Sequence, residues 1–91
     1  MDHRTKELRA KAKHLVPVCN VGKNGLTPGA IAQIDAELRG KRLIKVKLLK
    51  GALGEEAKKK DRVALATQIA TATRAQLIEQ VGSVVVLWRE G

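Results

Sequence analysis

Pro17-Val18-Cys19-Asn20-Val21-Gly22-Lys23-Asn24-Gly25-Leu26-Thr27-Pro28-Gly29-Ala30 is the stretch whose reading decides the fold, because a strand hands over to a helix inside it. Val16 to Val21 reads as a short strand, and Ile31, Ile34 and Leu38 then recur at helical spacing. Gly22-Lys23-Asn24-Gly25 is therefore a strand-to-helix connection. Thr27 is placed to cap the helix through its hydroxyl, and Pro28 suits the first helical position, where no intrahelical bond is lost. Position 30 is Ala, so there is no full capping box. Unpaired N–H groups and the positive end of the helix dipole beside the loop would stabilise an anion. A GxxG tetrapeptide by itself marks many ordinary turns, so its meaning depends on what surrounds it.

Upstream, Asp2 to Leu15 reads as a helix with Leu8, Ala12 and Leu15 on one face and Lys6, Arg9 and Lys13 on another. Downstream, the second helix is expected from Pro28 to Leu38 or Arg39, with Gly40 ending it and Arg39, Lys41 and Arg42 clustered near its C-terminus. Leu43 to Lys50 alternates as a strand, Ile44, Val46 and Leu48 on one side and Lys45 and Lys47 on the other. That alternation predicts a wet, basic sheet face and two layers rather than three. Gly51-Ala52-Leu53-Gly54 is a connector, and Glu55 and Glu56 open a third helix reaching about Thr73. Its buried stripe is read as Leu65, Ile69 and Ala72, with Ala66 and Ala70 allowing close approach and Lys58, Lys59, Lys60 and Arg62 forming a solvated first turn. Ala75 to Val81 and Val84 to Arg89 flank Gly82-Ser83 as a closing hairpin. The predicted architecture is α+β: a two-layer α-β-α-β-α-β-β arrangement with a four-stranded mixed sheet and its helices on one face.

The 91 residues predict one domain, residues 1–91, with a modest core and no room for a deep catalytic cleft. Neither a run of eighteen apolar residues nor a signal-peptide pattern occurs, which predicts a cytoplasmic protein. Cys19 is the single cysteine and, with only His3 and His14 beside it, supplies no disulfide and no zinc spacing; it reads as a small buried hydrophobe. The formal charge is +9, and residues 1–50 carry twelve of the eighteen Lys and Arg but four of the nine acids. The positive field thus belongs to the half containing the loop, and it suits a polyanion. Trp88 is the only aromatic residue and reads as core or edge packing, so the aromatic platform of single-strand-binding sheets is missing.

Together these residues resemble the CRM domain (chloroplast RNA splicing and ribosome maturation), whose free-standing bacterial and archaeal members are YhbY-like proteins. The resemblance spans nearly the whole chain. Its strongest parts are Pro17 to Thr27, Ile31 and Ile34, Leu43-Ile44-Lys45-Val46-Lys47, and the ending Val81-Gly82-Ser83-Val84-Val85-Val86-Leu87-Trp88-Arg89. It implies a fold similar to the C-terminal domain of translation initiation factor three, with a GxxG loop comparable to that of KH domains, which clamps a nucleic-acid backbone. Carried over, Gly22, Lys23, Asn24 and Gly25 are the expected RNA-contacting loop, with basic residues of the first helix supporting it. Family members associate with precursors of the large ribosomal subunit, and plant relatives act in splicing; one copy without extensions fits the former. Asn20 departs from the pattern, standing where an apolar strand residue is expected.

The expectation is a monomeric, non-enzymatic protein that binds ribosomal RNA or the precursor large subunit, without cofactor, catalytic residue or metal. Its RNA-binding residues are Gly22, Lys23, Asn24 and Gly25 with Lys6, Arg9, Lys13, Lys45 and Lys47. Two alternatives stand beside it: a ribosome-associated protein-binding adaptor, and a factor acting on other structured RNA. An enzyme has little support, since neither GxxxxGK[ST] nor GxGxxG occurs and His14 has no partner placed to work with it. DNA reading lacks a helix-turn-helix pair.

Overall fold

Seven elements follow one another: α1 (His3–Ala12), β1 (Pro17–Val21), α2 (Pro28–Lys41), β2 (Leu43–Leu48), α3 (Lys59–Ala72), β3 (Gln76–Val81) and β4 (Val84–Trp88). The computed structural model describes residues 3–22, 25–49 and 59–90. Lys23, Asn24, the Gly51 to Gly54 connector and the helix start at Glu55 and Glu56 lie outside the described residues. The strands form one sheet in the order β1-β2-β4-β3, with β1 and β2 parallel and β4 antiparallel to both its neighbours. The α+β class, the element order and the mixed four-stranded sheet are those expected from the sequence.

The layering differs in one respect. Cys19, Val21, Ile44, Val46, Leu48, Val85 and Leu87 join Ile34 and Leu38 of α2 and Leu65, Ala66, Ile69 and Ala70 of α3 in one core. Val86 and Ile78 instead join Leu8 and Ala12 of α1, with Leu43 and Trp88 packed against them. Since successive strand residues point to opposite faces, α2 and α3 cover one side of the sheet and α1 lies on the other. The cause is β4: its unbroken Val-Val-Val-Leu-Trp run has apolar side chains on both faces, as a central strand covered on both sides requires. Each fully buried side chain among Ile34, Leu38, Ile44, Ile69 and Leu87 contributes about 1.5–3 kcal/mol through removal from water.

Helix ends follow local chemistry. α1 stops at Ala12, three residues short of the expected Leu15, and Lys13 and His14 lie in the turn beyond it. The Thr27 hydroxyl accepts the Ala30 N–H at 3.1 Å, and Pro28 begins α2, as expected. Gly40 does not end α2. The helix runs through it to Lys41, supported by the Lys41–Glu37 ion pair at 2.6 Å, and Arg42 forms the cap at φ 64°. Arg42 is held there from both sides: its N–H donates to the Leu38 carbonyl, and its own carbonyl accepts from Arg89 N–H, each at 2.9 Å. α3 ends similarly, with Arg74 at φ 57° and the Ala75 N–H reaching back to the Ala70 carbonyl at 2.8 Å, the closing bond of a Schellman motif. Its buried side is Leu65, Ala66, Ile69, Ala70 and Thr73, while Ala72 is exposed, as a 3.6-residue period places it. Gly82 at φ 57° starts the two-residue turn of the β3–β4 hairpin.

Candidate functional site

The loop after β1 is closed by the Gly25 N–H donating to the Gly22 carbonyl at 2.9 Å. Gly25 has φ 69°, where a side chain would be strained, so this glycine serves the turn itself. Gly22 is different: among the described residues a Cβ there would meet only Leu49 Cδ1, at an ordinary 3.6 Å. Nothing in the packing of Gly22 against the described residues demands glycine. The α2 N-terminus beyond the loop offers fewer donors than the sequence implied, because Pro28 has no N–H and Ala30 is already bound to Thr27. Gly29 keeps the remaining donor of that first turn among the described residues.

α1 covers only part of its sheet face. Across the strands, Cα partners run Asn20, Lys47, Val84, Val81 in one row and Pro17, Lys45, Val86, Glu79 in the next. Ala12 packs over Val86, but Asn20, Lys47 and Val81 are exposed, and Val81 keeps 62% of its surface. The wet basic face expected from the Lys45 and Lys47 alternation thus exists, at the end of the sheet that leads into the loop. Gly22 lies two residues beyond Asn20, about 7 Å along the strand direction.

Between this open strip and α1 runs a groove of about 360 Å³, lined by Arg9, Ala12, Lys13, Lys45, Glu79, Val81, Val84 and Val86. A more open hollow between α1 and β3 brings together Lys6, Arg9, Lys13 and Glu79. Helix one and the basic strand therefore share one surface, with Lys6, Arg9, Lys13 and Lys45 around it and Lys47 in the adjoining row. Arg9 is already engaged: its Nη2 lies 2.7 Å from Glu79 Oε1, with Nε at 3.1 Å. Both partners are partly exposed, so the pair is worth under about 1 kcal/mol and opens at small cost. Lys6, Lys13, Lys45 and Lys47 form no ion pair among the described residues. Of the expected loop residues, Lys23 and Asn24 lie outside the described set.

Glu79 and the three valines of this groove, Val81, Val84 and Val86, were not singled out from sequence as site residues. They come to the groove because β4 pairs between β2 and β3, a long-range fact with no local signature. The available signals were the all-apolar β4, which implied cover on both faces, and Asn20, a polar residue between buried Cys19 and Val21 that marks the open side.

The basic residues at the other end of the sheet have structural work. Arg89, only 18% exposed, donates to Asp35 Oδ1 at 2.6 Å and to the Thr73 carbonyl at 2.8 Å. Arg39 pairs with Asp35 at 3.1 Å. The hydrogen bond from Arg89 holds the Asp35 carboxyl below the usual carboxylate range. Trp88 packs against the α1 cluster with the Arg4 guanidinium 5.1 Å from its ring centre, matching its expected packing role. Cys19 is buried as expected, and desolvation pushes its thiol up, with Glu37 adding to the rise. Among the described residues no cluster of three or more His, Cys, Asp or Glu could hold a metal, and no helix is long and apolar enough to cross a membrane.

The fold and this surface define a small α+β module with one half-covered, cation-rimmed sheet face. Residues 2–89 match the CRS1/YhbY (CRM) domain model, and the chain belongs to that family. It is 35% identical over 83 residues to the probable RNA-binding protein YqeI of Bacillus subtilis, spanning 91% of this chain and 80% of that one. It is 43% identical over 82 residues to the probable RNA-binding protein MJ0652 of Methanocaldococcus jannaschii, spanning 90% of this chain but 58% of that longer protein. The solution structure of the hypothetical protein SAV1595 from Staphylococcus aureus superposes with a TM-score of 0.80 at 33% identity, covering 96% of this chain and 84% of that one.

Proposed function

We propose that this protein binds structured RNA, in particular ribosomal RNA of the assembling large subunit, and that it does so as a monomeric, non-catalytic domain in the cytoplasm. One observation carries the reading: Lys13, Lys45 and the row containing Lys47 converge on a face that runs into the GxxG loop, with Glu79 the one acid among the described residues that line the groove. The relatives named as RNA-binding proteins point the same way. In this reading Gly22 lets the backbone approach phosphate, Lys23 supplies a mobile cation and Asn24 an amide donor, while Lys6, Arg9, Lys13, Lys45 and Lys47 extend the field. Affinity comes from phosphate contacts and release of counterions. Neutralising about six phosphates gives a slope of log K against log salt near roughly −5.

The test is binding to a ribosomal RNA hairpin across a salt series, comparing wild type with a folded Lys23→Asp, Asn24→Asp double variant. Loss of most affinity with a shallower slope is expected. Equal binding by both proteins would remove the loop from the interface, and no binding by either would favour a protein partner.

A further inference from the structure

We infer that the groove between α1 and the open strip of the sheet receives the base of an unpaired nucleotide in the bound RNA. This rests on the reading that RNA is the ligand and adds where a single base is held. The groove has two chemically distinct parts. Its floor is aliphatic, from Val81, Val84 and Val86, with Val81 largely exposed although it is a large apolar side chain. Its rim is cationic, with Lys13 from the turn after α1 and Lys45 from β2, and Lys47 is the Cα partner of Val84. A flat, weakly polar ring attached to a charged backbone matches that division, ring on the valines and phosphates on the lysines.

Glu79 restricts which part of a nucleotide can enter. Its carboxylate lines the groove and pairs with Arg9 at 2.7 Å, so the centre carries a nearly neutral ion pair and offers a phosphate less than the Lys13 and Lys45 rim does. The backbone is thereby kept at the Lys13 and Lys45 rim while the base goes inward. A continuous duplex presents phosphates and ribose rather than a free ring face, and it gains nothing from the aliphatic floor. Asn20, in the row of Lys47 and Val84, places an exposed amide two strands from Val84, roughly 10 Å away, where it can hydrogen-bond the edge of a neighbouring base. That gives a role to the one strand residue that departs from the apolar pattern.

The experiment compares two RNA hairpins of equal length, one fully paired and one carrying a single bulged 2-aminopurine, with wild type and a Val81→Thr, Val84→Thr variant. Threonine keeps the branched shape and strand propensity but makes the floor polar. Wild type is expected to favour the bulged hairpin by about tenfold, with a change in 2-aminopurine fluorescence on binding. The variant is expected to lose that preference while keeping its affinity and salt slope for the paired hairpin. Equal affinity of wild type for both hairpins overturns the inference and leaves RNA binding standing. Binding to neither, with Val84-dependent capture of a labelled peptide alternating Glu and Leu, overturns both and assigns the groove to a protein.

Discussion

Arg89 Nη1 lies 2.6 Å from Asp35 Oδ1 and 2.8 Å from the Thr73 carbonyl, so the first residue after β4 ties α2 to the end of α3. This arginine works as an internal clamp. Arg89→Ala would strand the Thr73 carbonyl at a buried residue, and urea melts are expected to show a loss of about 1–3 kcal/mol. Arg89→Lys should recover only part of this, since one ammonium cannot reproduce the planar fork that also reaches the Asp35 carbonyl at 3.2 Å.

The same pair sets an acid dependence. Because the folded Asp35 carboxyl is held below its ordinary value, chiefly by the Arg89 hydrogen bond, the unfolded chain binds this proton more tightly. Its stabilisation is complete above the ordinary aspartate pKa of about 4 and disappears as pH falls through the depressed folded value. Asp35→Asn is expected to flatten that part of the stability profile while lowering stability at neutral pH. An unchanged acid limb in the variant would contradict the assignment.

Gly40 lies inside α2, and a methyl group on its Cα would find nothing among the described residues outside its own helix turn within 4 Å, so the missing side chain brings only entropy to the unfolded chain. Gly40→Ala should therefore stabilise by about 0.5–1 kcal/mol, read as a higher urea midpoint at unchanged slope. Arg42, at φ 64°, is where glycine is wanted, and Arg42→Gly should be neutral or stabilising despite the lost charge.

That misplacement shows what the sequence could and could not say. Gly40 looked like a helix end because glycine usually is one, yet the bond from Arg89 N–H to the Arg42 carbonyl fixes the true end from 47 residues away. Local signals with their own chemistry were readable: Thr27 and Pro28 at the helix start, the Lys45 and Lys47 alternation, the Gly82 turn. Helix one showed that it had an apolar face but not which side of the sheet would receive it, since periodicity names a face and never its partner. The lysines of the site were therefore legible one by one, whereas the valine floor that joins them depended on strand order.

The two loop glycines should separate in experiment. Gly25→Ala must hold alanine at φ 69° and is expected to cost about 1–2 kcal/mol of stability. Among the described residues Gly22→Ala meets only an ordinary contact with Leu49, and it should leave the melting curve unchanged. If RNA phosphate approaches that backbone closely, Gly22→Ala will nevertheless weaken binding, a loss of affinity without a loss of stability. Unaltered affinity in Gly22→Ala would remove close backbone approach from the interface.

Charge removal on the open face has a distinct signature. Lys45 and Lys47 alternate on the basic side of β2 and form no ion pair among the described residues, so replacing them leaves no stranded acid there. Lys45→Gln with Lys47→Gln is expected to leave folding intact and make the salt slope shallower by about 2, roughly one unit for each lysine–phosphate contact. Arg74→Gln provides the control, because Arg74 precedes β3 at the end of the sheet away from the loop. It changes net charge by one without touching the open strip. A general field effect would make the slope respond to Arg74 as strongly as to either lysine, whereas a defined interface makes it respond to Lys45 and Lys47 and scarcely to Arg74.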